Sequence, residues 1–286
     1  MEFLYIFLLV LCGLAFLAGA PLNSYVLFVT GCRVERTASA VWLLNQAVSD
    51  LIFTVCLPLR LTFFLHVDWA RRLISTITSL HMFSSAFLLM AISVHRCIPV
   101  ARPEWAQKCC TASLACWVAL GTWALSAGFS LRYGVLCESL FPTARTSLNL
   151  QVDPERAKAA VAIQFLVGFL VPLVLSLIPT FCIVLAARLG RNRLIQATQP
   201  LKILLGFIPT FFLCWLPYHV FYFLQLSAMR SWPLLRIGSA SACVLTYVNS
   251  CLNPIFYLTM EEEFLRYQQR ARNPHTTDHP GLELGN

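Results

Sequence analysis

Read for hydropathy alone, the chain alternates long apolar runs with short polar breaks. Runs long enough to cross a hydrocarbon core of about 30 Å, which takes about 20 helical residues, fall near 3–31, 39–65, 73–98, 110–132, 157–187, 201–228 and 233–259. Lipid offers no partner for a bare N–H or C=O, so each run is expected to close its own hydrogen bonds as a helix. The pattern therefore predicts an all-α membrane protein, a bundle of seven spanning helices over 1–260. The first run ends in small residues as a signal peptide would. However, Glu2 precedes it with no basic residue, and apolar character resumes at Tyr25, so it reads as a first span.

The breaks give a direction. Those at 32–38, 99–109 and 188–200 carry Arg33, Arg36, Arg102, Lys108, Arg188, Arg191 and Arg193 against Glu35 and Glu104. The alternate breaks hold a near-balanced set: Asp68, Arg71, Arg72, Glu138, Arg145, Asp153, Glu155 and Arg156. Basic loops stay in the cytoplasm, which predicts an extracellular N-terminus and an internal tail in a multi-pass plasma-membrane protein. After the seventh run, Glu261–Arg270 has acids first and bases last. That order fits a short amphipathic helix over 261–272 lying on the inner leaflet, ahead of a polar tail at 273–286.

Composition agrees with the pattern. Apolar residues make up 58% and charged residues 12% of 286 positions, and the mean hydropathy is +0.70, too greasy for a soluble domain of this size. The net charge of +8 then reflects cytoplasmic loops facing anionic headgroups, not nucleic acid. The 12 cysteines are scattered, mostly inside apolar runs, with no zinc spacing; Cys137 alone reads as extracellular. HExxH, Gly-x-Ser-x-Gly and paired membrane aspartates are all missing, so no enzyme chemistry is expected.

Polar residues inside the spans are the candidate chemistry. At ~1.5 Å per residue, Asp50, Ser85 and Asn249 fall at one height near mid-membrane, with Asn253 a turn below and Trp215 slightly above. A carboxylate in lipid needs partners, so this layer reads either as a hydrogen-bond network or as an ion or proton site. Prolines at 58, 172, 179, 209, 217 and 254 are expected to bend the spans around it. Arg96 closes the third span where lipid gives way to water. It reads as a switch residue, or as an arginine that snorkels and merely ends a helix. A transporter would share these features, but no internal repeat is visible.

One set of residues, in order, points further. Asn23, Leu44–Asp50, Arg96, Trp123, Pro172, Cys214–Pro217 and Asn253–Tyr257 stand one group per span. In that order they resemble the rhodopsin-like G-protein-coupled receptors over about 20–272. Gly31–Arg33, Ala91–Ser93, Arg102–Gln107, Phe169–Leu173 and Cys214–Phe221 are similar to the chemoattractant branch, nearest to the second prostaglandin D2 receptor and then to formyl peptide receptors. The resemblance implies a receptor for an acidic lipid or a peptide, coupled to a Gi-family heterotrimeric G protein. It also implies activation-switch roles for His95, Arg96, Phe211, Trp215, Pro172, Pro254 and Tyr257. A Na⁺ near Asp50, with Ser85, Asn249 and Asn253 around it, is implied as an allosteric ion; no other metal or cofactor is.

The departures from that family are specific. His95 stands where the family has aspartate before the arginine, Arg71 where it has a third-span cysteine, and Thr180 where it has a fifth-span tyrosine. His81 replaces an asparagine beside the sodium layer. One turn from Ser85 and within reach of Asp50, its imidazole is expected to take the ion's place. Gln164 stands where the prostaglandin receptor has a lysine for its ligand's carboxylate. Arg60, ~15 Å outward of Asp50, offers a replacement anchor or else snorkels to the interface. The expected ligand site is then Arg60, Gln164, Tyr218, His219 and Tyr247. The alternatives to a working receptor are a degenerate, non-signalling homologue and, more remotely, a transporter.

Overall fold

The computed structural model describes residues 2–59, 68–140, 154–188, 198–226 and 233–260, together with Leu265 and Gln269. Arg60, most of the expected surface helix at 261–272 and the tail at 273–286 lie outside the described residues. What is described is helical, in the order α1 Glu2–Cys32, α2 Ala38–Val55, α3 Asp68–Ala101, α4 Pro103–Cys109, α5 Ala112–Leu140, α6 Pro154–Phe165, α7 Val171–Arg188, α8 Thr198–Leu226 and α9 Pro233–Met260. A π-helical turn, Leu166–Leu170, joins α6 to α7, so the two form the single fifth span.

Six of these spans are long and apolar enough to cross a bilayer by composition alone, among the described residues. The seventh, α9, is more polar because it carries Thr246, Asn249, Ser250 and Asn253 toward the interior, each of them buried. The outward faces are apolar instead. Leu14 and Leu17 of α1, Trp117 of α5 and Ile178 and Phe181 of α7 are more than half exposed, as lipid-facing side chains are in the absence of lipid.

Packing starts from α3, which lies against α2, α5, α7 and α8. Met82, Phe83, Ala86, Leu88, Leu89 and Ile92 of α3 form the spine of one buried cluster that takes in Trp42, Phe169, Phe207, Phe211 and Trp215. α1 is tied to α9 by Asn23, whose Nδ2 donates to Gly19 O at 2.9 Å and to Ser250 O at 3.1 Å. α5 is tied to α2 by Trp123, whose Nε1 donates to Asn45 Oδ1 at 2.9 Å, while Trp117 faces outward. Trp123 therefore holds the register expected of the fourth span.

Three boundaries differ from the sequence reading. Pro58 does not bend a span: α2 ends at Val55 and a 3₁₀ turn at 57–59 carries the proline, because a residue before proline is disfavoured in the α region. The break at 99–109 is not open loop but contains α4, with Pro103 at its first turn. Cys137, expected in an outer loop, falls in the backbone of α5, which continues to Leu140.

Candidate functional site

The mid-membrane layer is built where α2, α3 and α9 meet. Thr37 caps α2 by accepting from Ala40 N at 3.2 Å, and the helix it starts turns Gln46, Ser49 and Asp50 inward. Asp50 is fully buried. Its Oδ1 lies 2.8 Å from His81 Nε2, and its Oδ2 accepts from Asn253 Nδ2 at 2.9 Å and, more weakly, from Gln46 Nε2 at 3.4 Å. Gln46 Nε2 also donates to Ser85 Oγ at 2.9 Å. A second tie sits beside the first, with the Ser49 and Ser84 hydroxyls 2.6 Å apart.

His81 is held at its Nε2 and by its ring faces, while its buried Nδ1 has no hydrogen-bond partner. Its ring stacks on Phe53 with centroids 4.2 Å apart and planes 5° apart, and Trp215 tilts against it at 5.7 Å. Ser250 Oγ stands 3.1 Å from the same Nε2. Of the residues assigned to this layer from sequence, Asp50, His81, Ser85 and Asn253 are brought together. Asn249 is the correction: it is buried, but both amide atoms lack a hydrogen-bond partner, and its neighbour Ser250 faces the histidine instead. Helical steps of ~100° separate adjacent residues widely, so depth alone misses which of the two faces His81. Gln46, Ser49, Ser84 and Ser250 were missed. The signal for Gln46 was its i, i+4 spacing to Asp50.

Two further buried polar side chains come from α6 and α8. Gln164 and His219 are both 1% exposed. Gln164 Nε2 reaches Met82 Sδ at 3.8 Å, and its Oε1 has no partner; His219 Nε2 has none either. Phe165 and Phe169 pack on the His219 ring at 5.4 and 5.2 Å, and Tyr218 stacks on Tyr222 at 5.6 Å. Tyr247 does not join this group. It belongs to a separate cluster with Cys12, Phe53 and Leu57 on the α1, α2 and α9 side, 5.5 Å from Phe53.

The switch residues form a column. Trp215 rests on Phe211 at 6.0 Å, and Tyr257 meets Phe207 a turn further along α8, at 5.1 Å. Pro254 lies inside α9 next to Asn253, and Pro172 follows the π turn. At the far end of α3, His95 lies edge-on to Trp42 at 5.9 Å, with neither ring nitrogen hydrogen-bonded. Thr180 turns its hydroxyl back on its own helix, donating to Ser176 O at 2.8 Å.

Residues 22–257, from the turn of Asn23 to Tyr257, match the description of the 7 transmembrane receptor (rhodopsin family). The chain belongs to that family. Chemerin-like receptor 1 of Bos taurus is 35% identical to it over 273 residues, spanning 86% of this chain and 75% of the relative. The C3a anaphylatoxin chemotactic receptor of Danio rerio is 33% identical over 271 residues, 92% of this chain and 74% of the relative. Formyl peptide receptor 2 of Mus musculus is 28% identical over 292 residues, 91% and 81% of the two chains. The receptor thus sits in the chemoattractant branch, as a multi-pass plasma-membrane protein and not an enzyme. In this receptor, the layer around Asp50 joins buried polar side chains of three helices, and Gln164 and His219 are further buried polar side chains among the described residues.

Proposed function

We propose that the protein is a chemoattractant receptor that takes an extracellular ligand bearing an acidic group and couples to a Gi-family G protein, with its N-terminus outside. The observation that carries the ligand reading is the pair of buried, unpartnered atoms, Gln164 Oε1 and His219 Nε2, set in an aromatic wall. Leaving a buried polar atom unpaired costs about 1–3 kcal/mol, which a ligand donor reaching between α6 and α8 would recover. Tyr218, on the next residue of α8, adds an amphipathic edge to that wall. Arg60, which the hydropathy pattern puts in the second apolar run, is assigned as the carboxylate anchor, because its planar fork suits a carboxylate. A peptide fits the formyl peptide receptor's name, and a prostanoid-like lipid fits the local resemblance around Phe169–Leu173. The basic loops after the first, third and fifth spans support the orientation.

The test is a Gi-dependent fall in cAMP in cells showing the protein at the surface, challenged with carboxylate-bearing peptides and lipids and with their methyl esters. A response to the acids that Arg60→Ala abolishes, with surface expression kept, is the expected result. Equal potency of acid and methyl ester would overturn the anchor.

A second reading, a receptor homologue that no longer signals, is favoured by His95, whose ring nitrogens make no hydrogen bond where relatives have an acid. A surface-expressed protein silent to every ligand and without basal Gi activity would decide for it.

A further inference from the structure

The family resemblance places a Na⁺ beside Asp50, and the residues here do not fit one. A hard cation is held by oxygens. Asp50 instead faces nitrogen donors from three helices: His81 at 2.8 Å on Oδ1, and Asn253 at 2.9 Å and Gln46 at 3.4 Å on Oδ2. The Ser85 hydroxyl, a second oxygen at this level, already accepts from Gln46. The space left beside Gln46, Ser85 and Asn253 is about 10 Å³, with four apolar side chains closing it, which is room for roughly one water.

We propose that His81, as an imidazolium, is the receptor's built-in counter-charge to Asp50, and that this pair excludes Na⁺ from the bundle. The physical reason is charge balance. A buried carboxylate and an imidazolium, protonated on both nitrogens, are neutral as a pair, and a Na⁺ added to them would leave a net charge in a low-dielectric interior. The imidazole is also pre-positioned. The face-to-face contact with Phe53 at 4.2 Å and the tilted contact with Trp215 at 5.7 Å put two aromatic rings within cation–π reach, and Ser250 Oγ lies 3.1 Å from the shared nitrogen. Helices α2, α3 and α9 are therefore pinned to one another without an ion. This inference needs no ligand, so it stands or falls apart from the ligand proposal.

The experiment uses the purified full-length chain in detergent–lipid micelles, melted in NaCl and in choline chloride at equal concentration. The wild-type midpoint is expected to be the same in both salts. His81→Asn and His81→Ala free Asp50 Oδ1 and open space beside it, so their midpoints should rise by roughly 2–4 °C in NaCl. That rise should vanish when Asp50→Asn is added. A Na⁺-dependent rise in the wild type that Asp50→Asn removes would overturn the proposal. Failure of both His81 variants to gain a Na⁺ response would overturn it equally. If neither variant folds, the wild type against Asp50→Asn decides on its own.

Discussion

Asp50 has no exposed surface, and three side chains, His81, Asn253 and Gln46, meet its carboxylate oxygens. Truncating it strands His81, Asn253 and Gln46 together. Removing one partner of a buried pair costs about 3–5 kcal/mol, so Asp50→Ala should lower the thermal midpoint far more than Asp50→Asn, which keeps an acceptor oxygen. A melt of the two variants side by side checks this, and equal midpoints would contradict it. His95 is the opposite case. Its ring is packed on Trp42, and neither of its ring nitrogens is hydrogen-bonded. On the receptor reading, His95→Asp places a carboxylate next in sequence to the Arg96 guanidinium and should lower basal Gi signalling at matched surface expression. An unchanged cAMP baseline would show that the residue before Arg96 does not set the resting state.

Among the helices, the fifth span shows how local covalent chemistry sets the geometry of a site. Pro172 has no N–H to give and its ring crowds the carbonyl a turn before it. The chain answers with the π turn Leu166–Leu170, closed by Val171 N–H to Leu166 O. That turn brings Gly168 so close to α3 that a Cβ there would stand 2.6 Å from Met82 Cε and 3.0 Å from Phe83 Cε1. Gly168→Val should therefore push the fifth span off α3, at a cost of about 1–3 kcal/mol, measurable as a lower midpoint. The π turn also sets the facing of everything before it. Deleting Val167 would restore plain α winding and rotate Gln164 by ~100° about the helix axis. The deletion should abolish agonist response, while α7, α8 and the Asp50 layer still support surface expression. Retained potency would mean that Gln164 takes no part in ligand binding.

For the whole molecule, cohesion comes from side-chain ties between helices, because lipid offers apolar helices little reason to associate. Asn23 joins α1 to α9, Trp123 joins α5 to α2, and the Asp50 layer joins α2, α3 and α9. No disulfide joins the eleven cysteines whose side chains are described. Reductant should thus leave the thermal midpoint of the purified protein unchanged. A drop of several degrees would reveal a bond, since a native disulfide is worth about 2–4 kcal/mol.

Hydropathy was enough to settle the class of this protein. Seven apolar runs in lipid leave the backbone no choice but helix, and the one-per-span residues Asn23, Asp50, Arg96, Trp123, Pro172, Trp215 and Pro254 point to the receptor family. Depth along each span put Asp50, Ser85 and Asn249 at one height with Asn253 a turn below, because rise per residue is fixed, and the structure joins Asp50, Ser85 and Asn253 to His81 in one network. Rotation about each helix axis is not fixed by rise, and there the tertiary structure decided. It chose Ser250 over Asn249 as the neighbour of His81, sent Tyr247 to the α1 side, and recruited Gln46 to bridge Asp50 and Ser85. It also turned the Pro172 signal from a simple bend into a π turn, since only the contact with α3 shows which way the extra residue must go. A sequence specifies which groups share a height in the membrane; which of them touch is set by how the helices turn to pack.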